Sequence, residues 1–287
     1  MNKTIRILLF GLLLFSCSEE GTTIERKFLP LKINETSGLE YYNNNFLTHN
    51  DSGGETILYE FNKEGNIVDE HFIENCGENN DWEDITADSK NIYIANSGNN
   101  YGTRQNLAVL ILDKESDFEC TGQIQFKYKN QVNFENRNRH PYDSEGIISV
   151  GDELILFSKD RENLMTELYS LPKIPGSYEI EPIHSYPVNS LITGADYNDE
   201  LKLVALVGYD FNWNQYFYKI SNFDLSNMDQ SVIEKFKIPV GKAQIEAVKI
   251  IDESSFWITS EDEGNGFPRL FKFNLYFFDN SIKTEET

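Results

Sequence analysis

The sequence predicts an all-β chain folded as a β-propeller of five four-stranded blades, its ring closed by an N-terminal strand. Three observations carry that prediction. Helical periodicity is almost absent, and short apolar runs such as "NIYIAN", "LAVLILD", "ELILFSKD", "KLVALVGYD" and "SFWITSED" are bounded by Asn, Asp, Gly or charged residues, the signature of strands and turns. Five stretches align on one pattern of a polar residue, a small one, an apolar one, a polar turn and a second apolar strand. Their column residues are Ser37, Glu83, Glu145, Thr193 and Glu246, at intervals of 46, 62, 48 and 53 residues. About fifty residues per unit is what four antiparallel strands and their turns require, so the repeat selects a propeller over a sandwich or barrel.

In chain order, the N-terminus "MNKTIRILLFGLLLFSCSEE" has a basic start at Lys3 and Arg6 and an apolar run, Ile7 to Phe15, too short to span a bilayer. Leu14-Phe15-Ser16-Cys17 resembles the lipobox of bacterial lipoproteins, which implies a signal peptide over 1–16 and a lipid on Cys17. Ser18-Glu19-Glu20 resembles the acidic signal that sends gram-negative lipoproteins to the outer face of the outer membrane. The expected location is therefore the outer membrane, with cell-surface display favoured over the periplasmic face. The lipid, on a tether over 17–23, is the expected membrane contact.

"TIERKFLPL" opens the domain expected over 24–280. Unit one runs through "ETSGLEYYNNNFLTHNDSG", "TILYEFNKEGN" and "NIVDEHFIEN", and unit two starts at "DWEDITADSKNIYIANSGNN". Unit three starts at "DSEGIISVGDELILFSKDR", after a polar insertion near "NFENRNRHPYD" that lengthens the interval to 62 residues. Unit four holds "LITGADYNDELKLVALVGYD", "QYFYKISNFD" and "SVIEKFKIP". Unit five, "QIEAVKIIDESSFWITSEDEG" and "RLFKFNLYFF", runs out after its third strand, before a polar tail over 281–287. If "TIERKFLPL" supplies the missing outer strand, the ring closes without a free edge. Six blades would need a unit that does not stand out in the sequence.

The formal charge is −22, and it becomes −24 once Lys3 and Arg6 are cleaved away. Such a field repels phosphate backbones, which excludes nucleic acid as a natural partner, and favours divalent cations wherever carboxylates converge. With 39% hydrophobic and 13% aromatic residues the chain can build a core. Cys76 and Cys120 remain after lipidation, an even number that in an oxidising envelope suggests one disulfide over two buried thiols.

The first strand of each propeller blade lines the central channel, so Glu83, Glu145 and Glu246 converge on one axis, with Asp196 close to the same column. Asp81 and Asp143 precede two of the glutamates by two positions and share their strand face. Carboxylates in a narrow channel need a cation, a proton or buried donors. Calcium suits the set as a ligand, and hydrogen bonds that fix neighbouring blades suit it as structure. The second-strand exits form a candidate ligand face: His49, Asn50 and Asp51; Asn96 and Ser97; Lys159, Asp160 and Arg161; Tyr209 and Asp210; Glu261 and Asp262. Tyr209, Phe211 and Trp213 can supply an aromatic rim, and His49 or His140 a general base. No Walker loop, zinc spacing, nucleophile elbow or dinucleotide fingerprint is present. Asp51-Ser52-Gly53-Gly54 matches the serine-protease run in letters only. Too few residues precede Ser52 to hold the histidine and aspartate of that triad, and the repeat makes the run a strand exit like "IANSGNN".

The starts "SGL", "WEDI", "SEGI", "TGADY" and "IEAV" resemble the SdiA-regulated propeller family, and more loosely the calcium-dependent gluconolactonase and paraoxonase propellers. The latter resemblance implies that Glu83, Glu145 and Glu246 ligate calcium. Together these readings describe a monomeric, lipid-anchored module that binds a protein or small molecule, with a calcium-dependent lactone, ester or phosphoester hydrolase as the alternative.

Overall fold

The computed structural model describes residues 20–277 apart from Lys242, Glu263 and Asn265. The signal peptide, Cys17 and the tail over 281–287 lie outside the described residues. The chain opens with β1 (Glu20–Phe28), four residues before the expected boundary at 24, because Thr22 and Thr23 already pair with Leu275 and Asn274. That leaves 17–19 of the expected tether ahead of the strand.

Blade 1 follows as β2 (Thr36–Tyr42), β3 (Asn45–Asn50), β4 (Ile57–Phe61) and β5 (Ile67–Phe72). Blade 2 is β6 (Asp84–Ala87), β7 (Asn91–Asn96), β8 (Leu107–Asp113) and β9 (Glu119–Tyr128). Blade 3 is β10 (Ser144–Val150), β11 (Glu153–Ser158), β12 (Thr166–Pro172) and, after an intervening β13 (Gly176–Ile180), β14 (His184–Tyr186). β13 leaves blade 3 and adds a fifth strand to blade 2, parallel to β9. Blade 4 is β15 (Leu191–Asn198), β16 (Leu203–Tyr209), β17 (Gln215–Ser221) and β18 (Val232–Lys237). Blade 5 holds β19 (Ile245–Ile250), β20 (Ser255–Ser260) and β21 (Arg269–Phe277), and β1 completes it by pairing antiparallel with β21. The five-bladed ring is thus closed by its N-terminal strand.

The first strands β2, β6, β10, β15 and β19 each pack on the next, and β19 returns to β2. One buried apolar cluster fills each of the five blade interfaces. Phe217, Phe256 and Phe273 fill the interface between blades 4 and 5, and Trp82 and Phe118 that between blades 1 and 2. Alternation on each strand sends one set of side chains to each neighbour, so every blade is sandwiched on both faces. Cys76, in the connection between blades 1 and 2, forms a disulfide with Cys120 on β9, their Cα atoms 5.5 Å apart. The insertion before β10 docks on the loop after β7, with Arg137 N–H donating to Tyr101 O at 3.0 Å and Gln131 Nε2 to Gly102 O at 2.8 Å.

The repeat column corresponds to a backbone device. In blades 3, 4 and 5 the register slips between Ser144 and Gly146, Ile192 and Gly194, and Ile245 and Ala247, which leaves Glu145, Thr193 and Glu246 as the extra residues of β-bulges. Blade 1 slips just after its column residue, between Ser37, which pairs with His49, and Glu40. A bulge re-aims one side chain and bends the strand, here at the channel-lining start of the blade. The position after the column is small because the next blade lies against it: a side chain at Gly194 would stand 2.5 Å from Glu246 O.

Candidate functional site

In an antiparallel pair the start of the first strand lies beside the end of the second. Each blade therefore delivers its column residue and its second-strand exit to the same end of the ring. Blade 1 brings Asp51 there, blade 2 Asp81 and Glu83, and blade 3 Asp143 and Glu145. Carboxylate oxygens of Asp51, Asp81 and Glu83 lie within 4.8 Å of one another, as do those of Glu83, Asp143 and Glu145. Glu83 belongs to both groups, so five carboxylates from three blades form one continuous cluster.

Cations enter from the sides. Lys159 Nζ is ion-paired with Glu145, and Arg161 with Asp143 and, at 3.5 Å, with Glu145. Arg104 stands 4.0 Å from Asp81 and is held by Asn96 Oδ1 at 2.9 Å and Gly98 O at 2.5 Å. Asp143 also accepts the backbone N–H of Asn99 at 2.7 Å. Burial works against the Lys159 ammonium, but Glu145 together with Tyr209 and Glu246 outweighs it and holds Lys159 well above its ordinary value. Counting one cation to each nearest acid pairs Asp81, Asp143 and Glu145. Glu83 and Asp51 are left without a counter-charge in the cluster.

The consequences are visible on those two groups. Burial, then the neighbouring Glu145, Asp51, Asp81 and Asp143, push the Glu83 carboxyl well above the usual carboxylate range. Asp51 is pushed the same way by burial, Asp81 and Glu246. Asp81 is pushed up to about 6 by burial and Asp143, against the pull of Arg104. Glu83 Oε1 and Asp51 Oδ1 are buried oxygens without a hydrogen-bond partner. Gly98 leaves room for the blade 2 acids, because a side chain there would begin 1.8 Å from Glu83 Oε1 and 2.4 Å from Asp81 Oδ2.

The other residues singled out in the sequence divide cleanly. Ser37 and Thr193, in the column, donate their hydroxyls to Glu83 O and Ile245 O of the next blade, and Ser97 does the same to Ser144 O at 2.7 Å. Asp196 does not join the cluster. It lies three residues further along its strand, where Lys249 of blade 5 binds it at 2.8 Å and Glu40 of blade 1 at 2.6 Å. Glu246 acts on Asp51 and Lys159 through space but lies outside the two tight groups. Asn50 ties to Lys32 O, Asp160 caps the amides of Glu162 and Asn163, Asp210 braces its own loop, and Asp262 accepts Gly266 N–H. Glu261 is buried, its N–H on Gln244 O at 3.0 Å. His140 has both ring nitrogens engaged, with Asn100 O and Tyr142 N–H, and burial lowers its pKa. His49 is fully buried, edge-on to Trp82 at 5.5 Å. Of the expected ligand face, Asp51, Lys159, Arg161 and Tyr209 converge; the Tyr209 ring lies 5.3 Å from Lys159 Nζ.

Two residues of the site escape a reading by motif. Arg104 carries no pattern. Asp84 does, as the exception in its column: blades 1, 3, 4 and 5 have Gly38, Gly146, Gly194 and Ala247 where blade 2 has an aspartate. Its fully buried carboxylate fills the axial space those small residues leave. Oδ2 accepts the N–H groups of Ile147 and Ala195, each at 3.0 Å, and Oδ1 that of Ile85 at 2.8 Å.

Among the described residues, no helix is long and apolar enough to cross a membrane. No protein-family model matches the chain, and no curated protein matches it. Among solved structures it is similar to a structural-genomics protein of unknown function from Bacteroides thetaiotaomicron. That likeness has 10% identity and a TM-score of 0.47, over 90% of this chain and 77% of the other. It is also similar to the WD40 domain of Neurospora crassa Pan2, at 8% identity and a TM-score of 0.42, over 90% of this chain and 80% of that one.

Proposed function

We propose that this protein is a lipid-anchored propeller that binds a ligand at the acidic end of its channel, with a calcium ion as part of the binding face. The anchor is the lipid on Cys17, the location is the outer membrane with display at the cell surface, and the binding unit is a monomer. The observation that carries the reading is the charge balance of the cluster. Five carboxylates, four buried and Asp51 half-buried, face three cations, and the two unmatched acids of the cluster, Glu83 and Asp51, are the two that carry unpartnered buried oxygens. A surplus of two negative charges on hard oxygen donors is the complement of a divalent cation.

Asp51, Asp81 and Glu83 would hold the ion, while Lys159 and Arg161 keep Glu145 and Asp143 in place behind it. Calcium would supply a fixed positive charge and open coordination positions for ligand oxygens. Both candidate bases are internal, His140 through two hydrogen bonds and His49 through complete burial, which favours binding over hydrolysis.

The test is thermal unfolding of the purified protein in calcium and in chelator. Saturation at a hundred times Kd stabilises by about 2.7 kcal/mol, so the midpoint should rise by several degrees. Glu83→Gln should erase that rise and, by removing an uncompensated buried charge, increase the midpoint in chelator. Identical wild-type midpoints across millimolar calcium would remove the ion from this reading.

A further inference from the structure

Blade 4 carries, at the same end of the ring, a feature that the acidic cluster does not use. β16 and β17 are joined by Asp210-Phe211-Asn212-Trp213-Asn214. Asp210 fastens this loop. Its Oδ1 accepts the N–H groups of Asn212 at 2.8 Å and Asn214 at 3.0 Å, its carbonyl accepts that of Trp213 at 2.9 Å, and Tyr216 donates to Oδ2 at 3.1 Å. Trp213 is thereby held at φ 64°, a left-handed conformation that bulky residues rarely adopt. Turn geometry does not call for tryptophan there, since glycine or asparagine meets it without strain. Core packing does not call for it either, since the residue is 51% exposed.

What the loop does with Trp213 is specific. The indole lies 5.0 Å from the Tyr209 ring with 5° between their planes. Tyr209 is buried and its ring stands 5.3 Å from Lys159 Nζ, so the two rings form a slab backed by the charged cluster and open on the indole side. In the same loop the 53%-exposed Phe211 lies under the Arg139 guanidinium at 5.6 Å, and Asn212, which stands between the two aromatics in sequence, is exposed.

We propose that the Trp213–Tyr209 slab is a stacking platform for a neutral sugar ring. The C–H face of a pyranose packs on a flat, rigid indole without needing a charged partner. Its hydroxyls, each both donor and acceptor, match the donors and acceptor that the exposed Asn212 of the same loop and the Arg139 over Phe211 can offer. The net charge of −22 opposes polyanionic ligands, which leaves neutral saccharides as the class that the platform and the field both accept. Rigidity favours the same conclusion, because a pre-ordered platform adds little ordering cost on binding. This site deepens the reading of the channel end as a ligand-binding face and rests on it, but not on the ion.

The purified protein is titrated with maltotriose, cellotriose and triacetylchitotriose, followed by tryptophan fluorescence and calorimetry. At least one should bind in the millimolar range or tighter, and Trp213→Ala should weaken it by about tenfold or more. Trp213→Phe should recover part of the loss. Trp213→Gly, which removes the ring and relieves the left-handed strain, should keep or raise the thermal midpoint, keep the response to calcium, and still lose the sugar. Failure of all three saccharides at millimolar concentration, or wild-type affinity in Trp213→Gly, would overturn the platform. Sugar binding that survives in protein without a calcium response supports the platform and removes the ion alone.

Discussion

His49 shows how burial changes the meaning of a residue. At the end of β3 it is enclosed by Trp82, Gly38 and its own strand, with Nδ1 on Asn50 O at 3.2 Å. Burial pushes its pKa down to about 4 from an ordinary 6.5. The unfolded chain therefore binds a proton between those two values that the folded chain does not. The stability contributed by the neutral ring is complete above pH 6.5 and is lost as pH falls to about 4, a change of roughly 3 kcal/mol. Asp51 and Glu83, pushed the other way, lose stability as pH rises and act with the opposite sign in the same acid range. His49→Gln isolates the histidine, because those carboxylates are common to both proteins. The gap between wild type and variant in urea denaturation should close from neutral pH to about 4; parallel stability curves would show that His49 does not titrate on unfolding. Nothing in "THNDSGG" reveals this. The letters place His49 at a strand exit, and its enclosure depends on Trp82 from the next blade.

At the scale of the element, the first strand of every blade serves two neighbours, and in four of the five blades it is bulged. The column Ser37, Glu83, Glu145, Thr193, Glu246 was legible because bulge and close approach recur in four of the five blades and leave a polar-small-apolar trace. What distinguishes the blades from one another was not legible. Asp196 shares its sign with the cluster, yet its strand carries it to a different level of the channel, against Lys249. Asp84 stands where four blades have Gly or Ala, and takes amides from β10 and β15 as well as its own Ile85. It joins blades 2, 3 and 4 through one carboxylate, and both oxygens must accept. Burial pushes its carboxyl up, and those three amides pull it back. Asp84→Ala should therefore cost roughly 3 kcal/mol or more by leaving buried amides unpaired. Asp84→Asn should recover only part, since its amide nitrogen would face a donor. Chemical denaturation measures both, and a loss within about 1 kcal/mol for the alanine variant would mean that the ring does not depend on this axial carboxylate.

For the whole molecule, closure is the property that no single blade contains. It was legible as a surplus and a deficit: an unused stranded segment before unit one and a unit five short of one strand. The handover of β13 to blade 2 was not, since its run "GSYEI" matches no unit. Two long-range links hold the ring, and they should fail differently. The disulfide joins positions 44 residues apart within blades 1 and 2. Its reduction should lower stability by about 4 kcal/mol in the chain-entropy model while leaving the ring closed. β1 joins the two ends of the propeller, pairing with β21 along its whole length and placing Ile24 against the cluster between blades 4 and 5. A chain lacking Glu20–Phe28 would leave β21 as an open edge, a template for pairing with another chain. Such a chain should associate, as read by light scattering, and a peptide of sequence EGTTIERKF added in trans should suppress the association by refilling the edge. If the truncated chain remained monomeric with an unchanged midpoint, closure by β1 would be incidental to the stability of the ring.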